Sequence, residues 1–112
     1  MSVSEEYINY ILDQLSLFGR VQVKKMFGGA GLYCDGIMFA LIADDTLYLK
    51  VDESNRVDFE KAECGPFKPY PDKPASMSYY QVPVDILENR DSLSNWAGRS
   101  FRIARQLKDR SK

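Results

Sequence analysis

Residues 20–51 decide the fold and read RVQVKKMFGGAGLYCDGIMFALIADDTLYLKV. Short runs of aliphatic, β-branched and aromatic residues alternate with turn residues, a pattern typical of consecutive strands. Asp35-Gly36 is a strong hairpin signal, because both central positions of a type I′ turn require positive φ. Asp44-Asp45 marks a weaker turn, and Gly28-Gly29 links the first pair of runs. The stretch predicts an antiparallel meander of about four strands.

Helical patterns flank the meander. Residues 4–18 predict a first helix, with Ser4 as its N-cap and apolar residues along one face. A short helix that Asp52 would start is expected over residues 52–62, a further strand over residues 76–82, and another short helix over residues 83–89.

Residues 66–74 contain four prolines, which excludes a regular helix or a central strand there. Phe67 and Tyr70 are expected to anchor this segment to the body as an ordered loop. An aromatic platform that also includes Tyr79 and Tyr80 is an alternative, but a second layer of core around the loop is the favoured interpretation.

The last helix is expected to be capped by Asp91 or Ser92 and to run to about Lys108. Its apolar face would contain Leu93, Trp96, Ala97, Ser100, Ile103, Ala104 and Leu107. Arg99, Arg102 and Arg105 would lie on the outer face, with Lys108 extending the positive charge. Residues 91–112 hold six Lys or Arg against two Asp or Glu, whereas residues 1–90 hold nine against fourteen.

Length and composition indicate one globular domain over residues 1–112, since domains commonly have roughly 100 to 200 residues. Hydrophobic residues make up 45% of the chain, which is enough to bury a core and excludes disorder. The longest apolar run has seven residues, against the roughly 20 that a membrane-spanning helix needs. The acidic N-terminus does not match a secretory signal, so we expect a cytoplasmic protein that does not contact membranes.

Catalytic and metal-binding patterns are missing from the sequence. The chain has no histidine and two cysteines, Cys34 and Cys64, whose spacing fits no metal or redox motif; both are interpreted as reduced core thiols. Gly28-Gly29-Ala30-Gly31 matches neither a dinucleotide fingerprint nor a P-loop, so these glycines are interpreted as structural. We therefore expect no enzyme, no metal and no cofactor.

Several motifs in one register resemble the N-terminal domain of the TfoX/Sxy family. They are Lys25-Met26-Phe27-Gly28-Gly29-Ala30-Gly31-Leu32-Tyr33, Asp35-Gly36, Met38 to Ile42, Leu47 to Val51, Pro66-Phe67, Met77 to Pro83, and Trp96-Ala97. The resemblance covers roughly residues 4–107. It implies an α+β domain similar to the secretion-chaperone-like folds, in which an antiparallel sheet of about five strands is flanked by an N-terminal helix and C-terminal helices.

The resemblance also implies a function. Members of this family are bacterial regulators of gene expression associated with natural competence, and longer ones carry a second, helical domain. The chain looks like a stand-alone N-terminal module. The family offers no catalytic residues to transfer, and its motif residues Phe27, Gly28, Gly29, Gly31 and Tyr33 have a structural use in the first strand pair.

Three functional hypotheses remain. The leading one is a non-enzymatic regulatory or adaptor domain that binds another macromolecule, most simply a protein; a homodimer is a further expectation. The second is a DNA-binding accessory whose candidate residues are Arg99, Arg102, Arg105 and Lys108, although the sequence pI of about 5.4 argues against it. Lys25 is a candidate anion contact beside the glycine turn. The third is a small-molecule sensor or enzyme around Gly28 to Gly31, Cys34 or the aromatic loop.

Overall fold

Five strands form one antiparallel sheet in the order β1-β2-β3-β4-β5. The structure is a computed structural model that describes residues 4–26, 28–67 and 78–110. The elements in these ranges are α1 (Glu5–Gln14), β1 (Gln22–Met26), β2 (Gly29–Cys34), β3 (Ile37–Ala43), β4 (Thr46–Lys50), α2 (Arg56–Lys61), β5 (Tyr79–Gln81), α3 (Val84–Leu87) and α4 (Arg90–Arg110). The α+β class and the predicted meander are confirmed.

Both predicted tight turns have the backbone that their residues favour. Asp35 and Gly36 have φ of 51° and 76°, the signs that a type I′ hairpin requires. Asp44 and Asp45 also have positive φ, at 51° and 50°, which aspartate tolerates better than most residues. Gly28, at 78°, makes the turn between β1 and β2, whereas Gly29 already belongs to β2.

The strand register defines two faces of the sheet. On the helix face, one row of paired residues crosses all five strands and consists of Val23, Leu32, Ala40, Leu49 and Tyr80. On the outer face, the neighbouring row consists of Lys24, Gly31, Leu41, Tyr48 and Gln81. The pleat therefore sends the two lysines of β1 to opposite sides.

A bulge in β3 adds one more side chain to the helix face. Leu32 pairs with Ala40 but Tyr33 pairs with Met38, so Phe39 is the extra residue of β3. Phe39 is fully buried, as is Ala40, and its ring centroid lies 4.9 Å from that of Phe18. The bulge thus places two consecutive residues in the same core.

Helix α4 covers β3 and β4. Its core residues Leu93 and Ala97 are fully buried, together with Ile11 of α1 and Leu49 of β4. Ser4 caps α1, as predicted, by accepting a hydrogen bond from the Tyr7 amide at 3.1 Å. In the part of the chain that the structure describes, no helix is long and apolar enough to cross a membrane.

The carbonyl of Lys50 joins three elements at the end of β4. Ser100 of α4, which is fully buried, donates its hydroxyl to this oxygen at 2.8 Å. The buried Asn55, just before α2, donates its amide to the same oxygen at 3.2 Å. Asn55 also accepts the Asp52 amide at 2.9 Å. Ser100 therefore lies on the inner face of the last helix, as predicted, and its hydroxyl forms a hydrogen bond there.

Several predicted helix boundaries are wrong, and the short helix expected over residues 83–89 forms only over Val84–Leu87. Helix α1 ends at Gln14 rather than at residue 18, because Phe18 donates to the Leu15 carbonyl in a tighter turn. Helix α2 begins at Arg56 rather than at Asp52, whose carboxylate accepts the Ser54 amide within a turn.

Helix α4 begins at Arg90. The side chain of Asn89 accepts the Ser92 amide at 3.0 Å, so Asn89 takes the N-cap role that was predicted for Asp91 or Ser92. Leu107, predicted on the apolar face, is 40% exposed, since the last buried residues of α4 are Ile103 and Ala104. Strand β5 is shorter than the predicted range and begins at Tyr79.

Residues 68–77, which include Tyr70 and most of the proline segment, lie outside the described residues. Phe27 lies outside them as well. The predicted anchoring role of Phe67 is confirmed, because its ring centroid lies 5.0 Å from that of Tyr48.

We predict that Asp45→Ala destabilises the fold more than Asp44→Ala. Both substitutions place alanine at positive φ, but the Asp45 carboxylate also accepts the Ser4 amide at 2.9 Å and the Ser4 hydroxyl at 3.2 Å. Loss of this contact should add about 1 kcal/mol to the cost. Urea unfolding of the two variants measures the difference. Equal losses of stability would show that Asp45 does not hold the start of α1.

Candidate macromolecule-binding surfaces

The arginines of α4 do not share one environment. Arg99 is half-buried and donates from Nη1 to Oδ2 of Asp58 in α2 at 2.8 Å. Its guanidinium carbon lies 5.8 Å from the ring centroid of Trp96. The predicted outward position of Arg99 is therefore only partly right, because this side chain ties α4 to α2.

Arg102 and Arg105 are exposed on the outward side of α4. At about 100° per residue, Asp91 and Asp109 each lie within about 20° of Arg102 around the helix. Arg99 and Lys108 are about 180° apart by the same geometry. The basic residues consequently spread over half the helix circumference with carboxylates among them, instead of forming one stripe.

Lys25 is exposed, as expected beside the glycine turn, and it forms an ion pair with Glu5 of α1. The glycines next to it have structural positions. Gly28 makes the turn, and Gly31 faces Lys24 across the β1–β2 ladder. The Lys24 ammonium lies 5.0 Å from the ring centroid of Tyr33. The motif thus contributes to the first hairpin, and Lys24, which directly precedes it, lies over an aromatic ring.

The strands carry a charge pattern that sequence reasoning missed. The five strands contain three lysines, Lys24, Lys25 and Lys50, and neither aspartate nor glutamate, although the whole chain has 16 acidic residues. Lys50 is half-buried, and burial lowers its pKa while Asp52 opposes that effect. Lys24 is exposed. The lack of acidic residues in the strands can be read from the sequence only when the strand boundaries are known.

The outer face holds a second apolar cluster. Its buried members are Leu41, Ala43 and Tyr79, and Met38, Tyr48 and Phe67 pack against them. Burial raises the pKa of Tyr79 to about 12. Phe67 therefore belongs to packing on this face, which fits the interpretation of a second core layer better than that of an open stacking platform.

The two edges of the sheet differ. Along β5, Phe67 donates to the Tyr79 carbonyl at 2.7 Å and Gln81 donates to the Gly65 carbonyl at 3.0 Å. Residues 65–67 therefore occupy that edge. Strand β1 pairs with β2 on one side, and in the ranges 4–26, 28–67 and 78–110 no strand lies on its other side.

Both cysteines are free and half-buried, and both pack against the main core, in agreement with their interpretation as core thiols. Burial raises the pKa of Cys34, with a further contribution from Asp35, and burial also raises the pKa of Cys64. A raised pKa lowers the fraction of reactive thiolate near neutral pH. The described residues contain no cluster of three or more Cys, Asp or Glu able to hold a metal ion.

Comparisons with known proteins give one family profile and two curated relatives. A family profile described as the TfoX N-terminal domain matches residues 13–104. An uncharacterized 12.7 kDa protein from the trpE 5′ region of Spirochaeta aurantia is 32% identical over 88 residues, covering 79% of this chain and 71% of that protein. The DNA transformation protein TfoX1 of Aliivibrio fischeri is 27% identical over 111 residues, covering 95% of this chain. The chain spans 51% of the length of TfoX1.

We predict that Arg99→Gln lowers stability by about 0.5 to 1 kcal/mol, because it removes a half-exposed ion pair and a contact with Trp96. Arg102→Gln and Arg105→Gln are the matched controls and should each change stability by less than about 0.5 kcal/mol. Chemical unfolding at low and high salt measures these effects, and the loss from Arg99→Gln should shrink with salt. Equal effects of all three substitutions would contradict the distinct position of Arg99.

We also predict that both thiols react more slowly with iodoacetamide in the folded chain at pH 8 than in the chain unfolded by urea. The raised pKa values leave less thiolate in the folded state. Cys34→Ser and Cys64→Ser separate the two rates. A thiol that reacts faster in the folded chain would be an activated nucleophile and would revive the enzyme hypothesis.

Proposed function

The chain belongs to the TfoX N-terminal domain family, and on that premise we propose that it is a non-enzymatic regulatory module that binds another macromolecule, with a protein as its partner. Regulation is the activity associated with this family, and the relative TfoX1 is named for DNA transformation. A role in regulating competence is accordingly part of the proposal.

The sheet edge at β1 is the observation that carries the choice of a protein partner. An edge strand offers backbone N–H and C=O groups to an extended segment of another protein. Burial raises the pKa values of Cys34 and Cys64, which argues against either thiol as an activated nucleophile.

Nucleic acid is the alternative partner, and the exposed side chains of Arg102 and Arg105 are what favour it. Carboxylates of Asp91 and Asp109 on the same side of α4 would repel phosphates. Binding through this helix would fall steeply with salt, since each neutralised phosphate releases counterions.

The test begins with affinity capture of bacterial proteins on the purified chain, followed by reconstitution of the complex from pure components. We expect a captured protein to form a stoichiometric complex, measured by analytical ultracentrifugation. The same complex should form with the Arg102→Gln/Arg105→Gln double variant, which serves as the surface control.

Fluorescence anisotropy with labelled mixed-sequence duplex DNA tests the alternative partner, nucleic acid. Saturable, salt-dependent binding that the double variant loses, together with failure to reconstitute any protein complex, would replace a protein partner by DNA. Absence of DNA binding at low salt would support the protein partner.

A further inference from the structure

We propose that β1 accepts an extended acidic segment of a protein partner as a sixth strand, in which carboxylates alternate with aliphatic side chains. This inference rests on the proposed function and specifies the chemistry of the partner and its place of binding.

Backbone availability is the first argument. Residues 65–67 hydrogen-bond along the outer side of β5, whereas β1 has β2 as its neighbour on one side in the part of the chain that the structure describes. A five-residue edge strand is long enough for strand addition, since strands commonly have 3 to 10 residues. Main-chain hydrogen bonds would supply the affinity, and side chains at alternate positions the specificity.

Charge on the outer face is the second argument. Lys24 is exposed there, and its ammonium lies 5.0 Å from the Tyr33 ring. No strand residue is acidic, so a carboxylate brought beside Lys24 by a sixth strand meets a cation without a competing acid on the strands. Opposite charges directly across a ladder stabilise it.

The helix face of β1 determines which side chains of the bound segment should be aliphatic. Val23 is half-buried there and packs against the main core. An aliphatic side chain opposite Val23 would extend that core to the new strand. Lys25 lies on the same face and is paired with Glu5 in a contact where both side chains are well exposed. The favoured segment therefore has acidic residues on one face and aliphatic residues on the other.

A second copy of the chain fits the edge less well. Antiparallel pairing of two β1 strands about Lys24, the central residue of the strand, would set Lys24 of one copy directly opposite Lys24 of the other, and like charges across a ladder destabilise it. Lysines on an edge strand commonly oppose indiscriminate pairing. A neutral strand would remove this repulsion and an acidic strand would replace it with attraction, whereas a basic strand would keep it.

The test uses the full chain and a fluorescent peptide of roughly ten residues in which glutamate and valine alternate. We expect saturable binding by anisotropy, weakened about tenfold or more by Lys24→Glu and less by Lys24→Gln. Lys61→Glu, on the exposed surface of α2, is the matched control with the same change of net charge, and should alter affinity by less than about twofold because distant charges are screened. A lysine–valine peptide should prefer the Lys24→Glu variant.

Backbone pairing has its own control. Methylation of the amide nitrogens along one edge of the peptide should abolish binding, because it removes the donors that a strand needs. Undiminished binding of the methylated peptide, equal losses from Lys24→Glu and Lys61→Glu, or failure of the unmodified peptide to bind would each overturn strand addition. A dimer of the free chain that protects the β1 amides from exchange would also overturn it, by making a second copy the occupant.

The partner recovered in the capture experiment separates this inference from the proposed function. Loss of the reconstituted complex in Lys24→Glu, with retention in Lys61→Glu, supports both. A complex that survives Lys24→Glu unchanged overturns strand addition and leaves the binding function standing. Failure to reconstitute any complex removes the function on which the inference rests.

Discussion

Burial of the helix face of the sheet beneath α4 is the constraint on which the rest of the structure depends. The bulge at Phe39 sends two consecutive side chains of β3 into this layer, and Leu93 and Ala97 of α4, which are fully buried, belong to the same core cluster. Each large apolar side chain that is buried in this way contributes about 1.5 to 3 kcal/mol. The helices thereby cover one face of the sheet, and residues 65–67 hydrogen-bond along one of its edges. Strand β1 is left at the opposite edge.

Local sequence was sufficient for most of this architecture. Asp35-Gly36 and the aliphatic runs on either side specify a hairpin because turn chemistry and strand pattern act over neighbouring residues. The last helix was equally predictable, since its apolar spacing extends over several turns. Its first residue was not predictable, because Asn89, Asp91 and Ser92 are all residue types that favour the cap position, and it is Asn89 that accepts the Ser92 amide.

Long-range contacts explain what the sequence could not reveal. Asp45 reaches Ser4 across 41 positions, and Arg99 reaches Asp58 across another 41. A helical wheel places Arg99 on the polar side of α4 but cannot show that α2 lies beside it. For the same reason, sequence analysis placed all three arginines on one outer face of the last helix, and it did not identify the edge of β1 as a candidate binding site. The predicted meander already places the first strand at an edge, but the contact of the Lys24 ammonium with the Tyr33 ring depends on the pairing of β1 with β2.

We propose that a partner binds at the edge of the sheet and that α4 is largely structural. Amide hydrogen exchange of the chain, alone and in its reconstituted complex with the captured partner, tests this division most directly. We expect added protection to concentrate in Gln22–Met26 and the exposed side of α4 to change little. Protection that appears along α4 while the β1 amides exchange as in the free chain would contradict it.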